Sequence, residues 1–270
     1  MFTDYRLLVL DIDGTVTNSK KEVTPKTREQ IIRLQREGVK VVLASGRPPE
    51  GVFPIAKVLQ LEQFDSYLLT FNGGKIIHLK TGKCIFEKHL PMHIPKRLAG
   101  DAKTHGIGMA AYGKGVILAG TVPDSYLKLE SEISKMPIEY HENLAADLNQ
   151  TVNQCILTGE PELLEEVEPV LFGKYFHEAQ IFHSEPFYLE VSPKNVDKAY
   201  GLKHLLRFLG ISREKMVCCG DSYNDIRMLQ YAGVGIAMKN APKSVKVVAD
   251  YVTENDNDHD GIAEVIGRFF

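Results

Sequence analysis

The chain has 270 residues, 44% of them apolar, with 32 basic against 35 acidic residues and a net charge of −3. That length holds one large domain or two modest ones around a packed core. The balanced charge offers no basic surface for nucleic acid and no acidic tail, and the longest apolar runs are strand-sized, too short to span a bilayer. Met1 to Tyr5 lacks the basic start and apolar centre of a signal peptide. Of the four cysteines only Cys218 and Cys219 are neighbours, inside an apolar run. Adjacent cysteines make a strained disulfide, so these are expected to be reduced core residues of a cytoplasmic protein. No internal repeat, low-complexity tract or disordered linker interrupts the chain.

Taken in chain order, Leu7 to Leu10 is an apolar run of the kind buried on both faces of a parallel sheet. Thr24 then reads as a helix cap with Pro25 at the first helical position, and "PKTREQIIRLQREG" stops at Gly38. "VKVVLASGR" is a second buried strand. "EGVFPIAKVLQLE" is a second helix, weakened by Pro54, and "DSYLLTFNGG" is a third strand ending in a loop. This βαβα order predicts an α/β fold with an open, doubly wound, Rossmann-like parallel sheet.

The rhythm then breaks. "KIIHLKTGKCIFEKHL" reads as a hairpin turning at Thr81-Gly82. From Cys84 to Tyr188 helix and strand signals mix, with "QCILTG" and "FYLEVS" among them, which predicts a separate α+β domain. The βα pattern returns with helix "DKAYGLKHLLRFLG", strand "KMVCCG", helix "NDIRMLQYAG", strand "VGIAM", helix "APKSVKVVA", strand "DYVT" and a last helix near "GIAEVIGRFF". The expected organisation is a core formed by residues 1–83 and 189–270, interrupted by an inserted domain at 84–188.

In an open parallel sheet, chemistry collects outside the carboxyl ends of the strands. Asp11 and Asp13 of "DIDGT" stand at such an end. Positions two apart in a strand face one way, so the two carboxylates repel unless a cation or a shared proton relieves them. A hard divalent ion meets that need, and magnesium is the usual one where phosphate is present. A plain turn with one capping Asp is the competing reading. Ser45 and Gly46 close the second strand, where a hydroxyl and a backbone N–H make an oxyanion or phosphate site. Lys198 opens a helix, where a buried cation would neutralise acids and phosphate, with Lys194 competing for the role. Asp221 directly follows a buried strand, with Asn224 and Asp225 in the first turn of the next helix. Asp221 and Asp225, four apart, share a helical face if the helix has begun by then.

The joint order of acid pair, Ser-Gly, Lys and G-D-x-x-N-D resembles the haloacid dehalogenase superfamily of phosphotransferases. Within it, the strings "DIDGT", "LASGR", "FNGG", "SPKNVDKAYGL", "CCGDSYNDIRML" and "GIAMKNAPKSVKVVADYVT" are similar to the Cof-like sugar phosphatases. The resemblance spans the core; in the insert it extends to position and size more than to residues. It implies that Asp11 is the nucleophile that takes the phosphoryl group. Asp13 would protonate the leaving oxygen and then activate water. Ser45 and the Gly46 amide would hold phosphoryl oxygens, Lys198 would offset their charge, and Asn224 would contact phosphate or Lys198. Asp11, the backbone carbonyl of Asp13, and Asp221 would ligate Mg2+, with Asp225 orienting the site from behind. The insert would serve as a cap that selects substrate.

Some residues depart from that pattern or stand outside it. Ser45 replaces the commoner Thr, with the hydroxyl kept. Lys239 replaces a frequent Gly and adds a positive charge of no assigned role. Arg47 and Asn72 are candidate substrate contacts, and Glu190 is as well explained by structure. The nine histidines show no metal-ligand spacing. The acidic run "ENDNDHDG" misses the calcium-loop spacing and reads as a solvated loop with a helix cap. The expected function is a magnesium-dependent phosphatase acting on small phosphorylated metabolites, sugar phosphates foremost, with neither nucleic acid nor membrane as partner. A phosphomutase of the phosphomannomutase kind shares this core and cap type and differs in needing a bisphosphate activator. A receiver-like, non-catalytic phosphate-binding module also uses an acid pocket, a hydroxyl and a Lys; Asp13 and the large insert argue against it.

Overall fold

Strand β1 (Leu7–Leu10) is fully buried and carries both halves of the core. Leu8 and Leu10 face one apolar cluster with Ile31, Leu34, Val52 and Val265, while Leu7 and Val9 face another with Leu202, Leu205 and Met228. A strand whose alternate residues are both buried needs a continuous apolar run, and each such side chain contributes about 1.5–3 kcal/mol relative to exposure. The computed structural model describes residues 4–270; Met1–Thr3, part of the stretch read above as lacking a leader, lie outside the described residues.

After β1 come α1 (Pro25–Arg36), β2 (Lys40–Ala44), α2 (Pro49–Val58), β3 (Tyr67–Thr70), β4 (Lys75–His78) and β5 (Lys83–Glu87). Thr24 caps α1 by accepting from the Thr27 N–H, with Pro25 in the first turn. Gln35, buried in that helix, accepts from Ser66 Oγ at 2.9 Å and donates to the Leu59 carbonyl at 3.0 Å, which satisfies its amide. Pro54 sits inside α2, which ends at Val58, earlier than the apolar pattern predicts.

The insert follows with α3 (His93–His105), β6 (Gly108–Tyr112), β7 (Ile117–Ala119), α4 (Ser125–Ser134), β8 (Ile138–Tyr140), α5 (Leu144–Asp147), β9 (Cys155–Thr158), α6 (Pro161–Tyr175), β10 (Ala179–Glu185) and β11 (Tyr188–Pro193). The chain then runs through α7 (Lys198–Leu209), β12 (Met216–Gly220), α8 (Ile226–Tyr231), β13 (Val234–Ala237), α9 (Lys243–Lys246), β14 (Tyr251–Val252) and α10 (Gly261–Phe269). Two compact units divide the chain, one running to Phe86 and resuming at Asp197–Phe270, the other Glu87–Val196.

The first unit is built on an eight-stranded sheet ordered β14-β13-β12-β1-β2-β3-β4-β5. The pairs from β14 to β3 are parallel, and β4 turns back antiparallel to β3. The hairpin expected from "KIIHLKTGKCIFEKHL" thus extends the parallel sheet as its edge. The second unit has its own six-stranded sheet, β10-β11-β9-β6-β7-β8, with a separate apolar core of Leu98, Met109, Leu157, Leu171 and Leu189. The sequence ends the insert at Tyr188; the strand Tyr188–Pro193 pairs with β9 and β10 and so belongs to the second unit. Among the described residues no helix is long and apolar enough to cross a membrane. Cys155, Cys218 and Cys219 are buried free thiols and Cys84 is exposed.

Candidate active site

The sheet order sets β12, β1, β2 and β3 side by side, so the residues after them share one edge of the first unit. Asp11 leaves β1 with its N–H still bonded to the Cys219 carbonyl of β12 at 3.0 Å. Its carboxylate accepts from Lys198 Nζ at 2.5 Å, and the same ammonium donates to Asp225 at 2.6 Å. Lys198 and Asp225 have no exposed surface, and Asp11 is 7% exposed. Of the two lysines weighed for this role, Lys198 stands with the acids; the Lys194 carbonyl accepts from Lys88 in the second unit.

Both oxygens of Asp225 accept hydrogen bonds. One oxygen takes Lys198; the other accepts the N–H groups of Asp221 at 3.0 Å and Ser222 at 2.9 Å. The sequence puts Asn224 and Asp225 in the first turn of a helix, but Tyr223–Asp225 is a 3₁₀ turn ahead of α8, capped by Ser222. Asp225 therefore reaches back over the turn rather than sharing a helical face with Asp221. Asp221 in turn accepts from Thr15 Oγ1 at 2.7 Å. Gly14, at φ +78°, leaves room for it: a Cβ there would collide with the Asp221 carboxylate.

Asp13 departs from the expected pairing with Asp11. The chain has already turned, and its carboxylate points to Arg47, which donates from Nε at 2.9 Å and from Nη2 at 2.7 Å, and to Lys21 Nζ at 2.8 Å. Arg47, expected as a substrate contact, is committed to Asp13 and to the Gly51 carbonyl. Ser45 is buried, and its hydroxyl accepts the Arg47 N–H at 3.2 Å. Gly46 lies against Asn72, whose backbone is left-handed at φ 51° and whose amide oxygen accepts from Asn224 at 3.1 Å. Strained backbone of this kind collects where a loop must present groups in one fixed pose.

The electrostatics follow from this packing. Burial, then the Asp225 charge, drives the Asp11 carboxyl up to about 8 against the pull of Lys198. Burial likewise lifts Asp221 to about 6 despite the Thr15 hydrogen bond. Burial also opposes ionisation of Asp13, but Arg47 and Lys21 outweigh it and hold that carboxyl below its ordinary value. For Lys198, burial works against the charge, yet Asp11 and Asp225 more than offset it and keep the ammonium protonated.

Oxygens of Asp11, Asp221 and Asp225 lie within 4.8 Å of one another, the one such grouping of metal-ligand types among the described residues. An all-oxygen set suits a hard divalent cation. Three of the carboxylates, Asp11, Asp13 and Asp225, are paired with the cations Lys198, Arg47 and Lys21. Both oxygens of Asp225 are engaged, one by Lys198 and the other by the Asp221 and Ser222 N–H groups.

The remaining candidates stand apart. Glu190, in the second unit, is 8% exposed and raised to about 7 by burial, with Oε2 unpartnered among the described residues. Lys239 donates its backbone N–H to Thr253. Asp258 and Asp260 of the acidic run accept from Ser19 and Thr24, and Asp256 caps the short 3₁₀ turn Asn257–His259, while Asp260 precedes α10 without a side-chain cap bond. Two residues escape the sequence: Lys21, and Asn240, whose amide reaches the Gly14 carbonyl at 2.8 Å and Asp221 at 3.4 Å. The available signal for Asn240 is its place just beyond a buried strand end.

The family model of haloacid dehalogenase-like hydrolases matches residues 8–266. A haloacid dehalogenase-like hydrolase from Bacteroides thetaiotaomicron is 39% identical, with 98% of this chain and 100% of that one superposed at a TM-score of 0.94. The HAD subclass IIB sugar phosphatase BT4131 is 26% identical over 98% of both chains, with a TM-score of 0.81. The 5-amino-6-(5-phospho-D-ribitylamino)uracil phosphatase YcsE of Bacillus subtilis is 29% identical over 97% of this chain and 95% of its own.

Proposed function

Because the chain belongs to the haloacid dehalogenase-like hydrolase family, we propose that it is a phosphatase which hydrolyses small phosphorylated metabolites, sugar phosphates among them, through a phosphorylated Asp11. The observation that carries this reading is the buried Lys198 shared by Asp11 and Asp225 at the carboxyl edge of the sheet. Such a constellation positions a carboxylate nucleophile and neutralises the charge it must approach. The named substrates of the relatives, a sugar phosphate and a phosphoribityl compound, both carry phosphate on a polyol-like leaving group.

Asp11 attacks phosphorus and the ester oxygen leaves with a proton from Asp13. Water then attacks the aspartyl phosphate, and Asp13 takes its proton. Where it stands, Asp13 is ionised, the form the second step needs; acting as the acid first requires it to part from Arg47 and Lys21 in the substrate complex. Ser45 and the Gly46 N–H hold phosphoryl oxygens, and Asn224 and Asn72 brace that side. Asp11, the Asp13 carbonyl and Asp221 would hold Mg2+, which supplies charge neutralisation and alignment of the phosphoryl group. The test is a screen of the purified protein against phosphorylated metabolites with and without a bisphosphate. Release of phosphate from monoesters without the bisphosphate is expected; turnover that depends on it would overturn the reading in favour of a mutase.

The metal reading carries a pH dependence. Without metal, Asp11 and Asp221 hold protons up to about 8 and about 6. A cation binds their ionised forms, so binding must expel protons and its affinity must rise as pH climbs from 6 to 8. Calorimetry of Mg2+ binding in buffers of different ionisation enthalpy measures the protons released. Zero release with pH-independent affinity would contradict the assignment, as would full activity after thorough chelation.

Selectivity is assigned to the insert. The first unit's sheet is complete without residues 88–196. Replacing that segment with a short Gly-Ser link should therefore leave slow hydrolysis of small activated phosphate esters and flatten preference among sugar phosphates. The spread of kcat/KM across a phosphate panel decides: an unchanged ranking would move selectivity to first-unit residues such as Arg47 and Asn72.

A further inference from the structure

Asp221 is held at both oxygens, and both holders are tied to the loop that carries the acid pair. Thr15, on that loop, donates to Oδ1 at 2.7 Å. Asn240, from the loop after β13, donates through Nδ2 to the Gly14 carbonyl at 2.8 Å and to Asp221 Oδ2 at 3.4 Å. Asn240 is itself braced: its Oδ1 accepts the Asn257 N–H at 3.3 Å, and Asn257 Nδ2 donates to the Thr17 carbonyl at 2.9 Å. Three loops, from the ends of β1, β13 and β14, thus close around one carboxylate.

We propose that Asn240 is a positioning residue that fixes the distance between Asp221 and the Asp11–Asp13 loop, and so sets the affinity of the divalent-ion site. The inference rests on the metal reading given above. A neutral amide suits the task. It donates to a carboxylate and a carbonyl without adding a charge that would repel a cation or compete with one. The carbonyl it grips belongs to Gly14, next in the chain to Asp13, whose own carbonyl is the proposed backbone ligand. A ligand free to drift must be ordered when the metal arrives, and that ordering weakens binding. Asn240 is exposed, so its removal should leave the core intact.

The experiment is calorimetric titration of Mg2+ into the metal-free full chain without substrate, beside thermal melting in chelator. Asn240→Ala should bind Mg2+ about tenfold more weakly. Its melting temperature in chelator should stay within about 2 °C of wild type, as for a surface substitution. Asn257→Ala should give a smaller loss, and adding it to Asn240→Ala should cost little more, because it acts through the same side chain. Wild-type affinity in Asn240→Ala, or losses that add in full, would overturn the proposal while leaving the metal reading intact. A wild-type chain that binds no Mg2+ would overturn the metal reading and this one with it.

Discussion

Asp11→Asn is expected to lose turnover by roughly 10⁴-fold or more, about 5.5 kcal/mol of barrier. The substitution keeps the size of the side chain and removes the anionic oxygen that attacks phosphorus. The surroundings should tolerate it. Asp11 is raised by burial and by Asp225, so a neutral group there relieves repulsion among the acids while Lys198 keeps Asp225 as partner. A folded, inactive protein is therefore the expected result, with melting close to wild type. Asp13→Asn separates the two steps: it keeps the nucleophile, so a little phosphate should be accepted, but leaving-group protonation and water activation both fail. Rapid quench with a radiolabelled or fluorogenic ester measures both variants. Substantial activity in metal-replete Asp11→Asn would show that another group makes the covalent bond or that water attacks directly.

How much of this is legible in the sequence depends on where each residue sits. Asp11, Ser45 and Asp221 were readable because each ends an apolar run, and parallel-sheet architecture places such ends on one edge. Lys198 was readable as a cation at a helix start, where the helix dipole disfavours it and a further reason is needed. The orientation of Asp13 was not readable. The two-residue period that aligns it with Asp11 holds only while the chain stays extended, and the turn at Gly14 and the bridge to Thr17 end that. Lys21 and Asn240 are exposed polar residues in loops, with no periodicity to mark them, and Asn240 meets Gly14 from 226 residues away. In the insert, the antiparallel strand Tyr188–Pro193 shows neither a clean alternation nor an apolar run, since Glu190 and Ser192 are buried with the rest. The point at which the chain re-enters the core was blurred for that reason.

Lys198→Met is expected to damage both folding and catalysis. The ammonium lies wholly buried between Asp11 at 2.5 Å and Asp225 at 2.6 Å, at the first position of α7. A cation there works against the partial positive charge of the helix terminus and against desolvation, so its burial is sustained by the two carboxylates. Methionine fills most of the same volume, so the loss is chiefly of charge. Two carboxylates would then lie buried without a counter-ion, a defect of about 3–5 kcal/mol when one partner of a buried pair is removed. Protonation relieves the defect, which sets the sign of the pH effect. Deprived of Lys198, which pulls its carboxyl down, Asp11 binds its proton still more tightly folded than unfolded, so stability is retained at low pH and lost as pH rises through its folded value. Urea unfolding in chelator should therefore show a larger deficit at pH 8 than at pH 6. Added Mg2+ should recover part of the deficit by supplying positive charge to Asp11. Turnover should fall by about 10²–10³-fold even where the variant is folded, the usual loss when one charge-stabilising group is removed. Wild-type stability at pH 8 would mean that Asp11 and Asp225 do not depend on this ammonium, and the charge balance assigned to the site would be wrong.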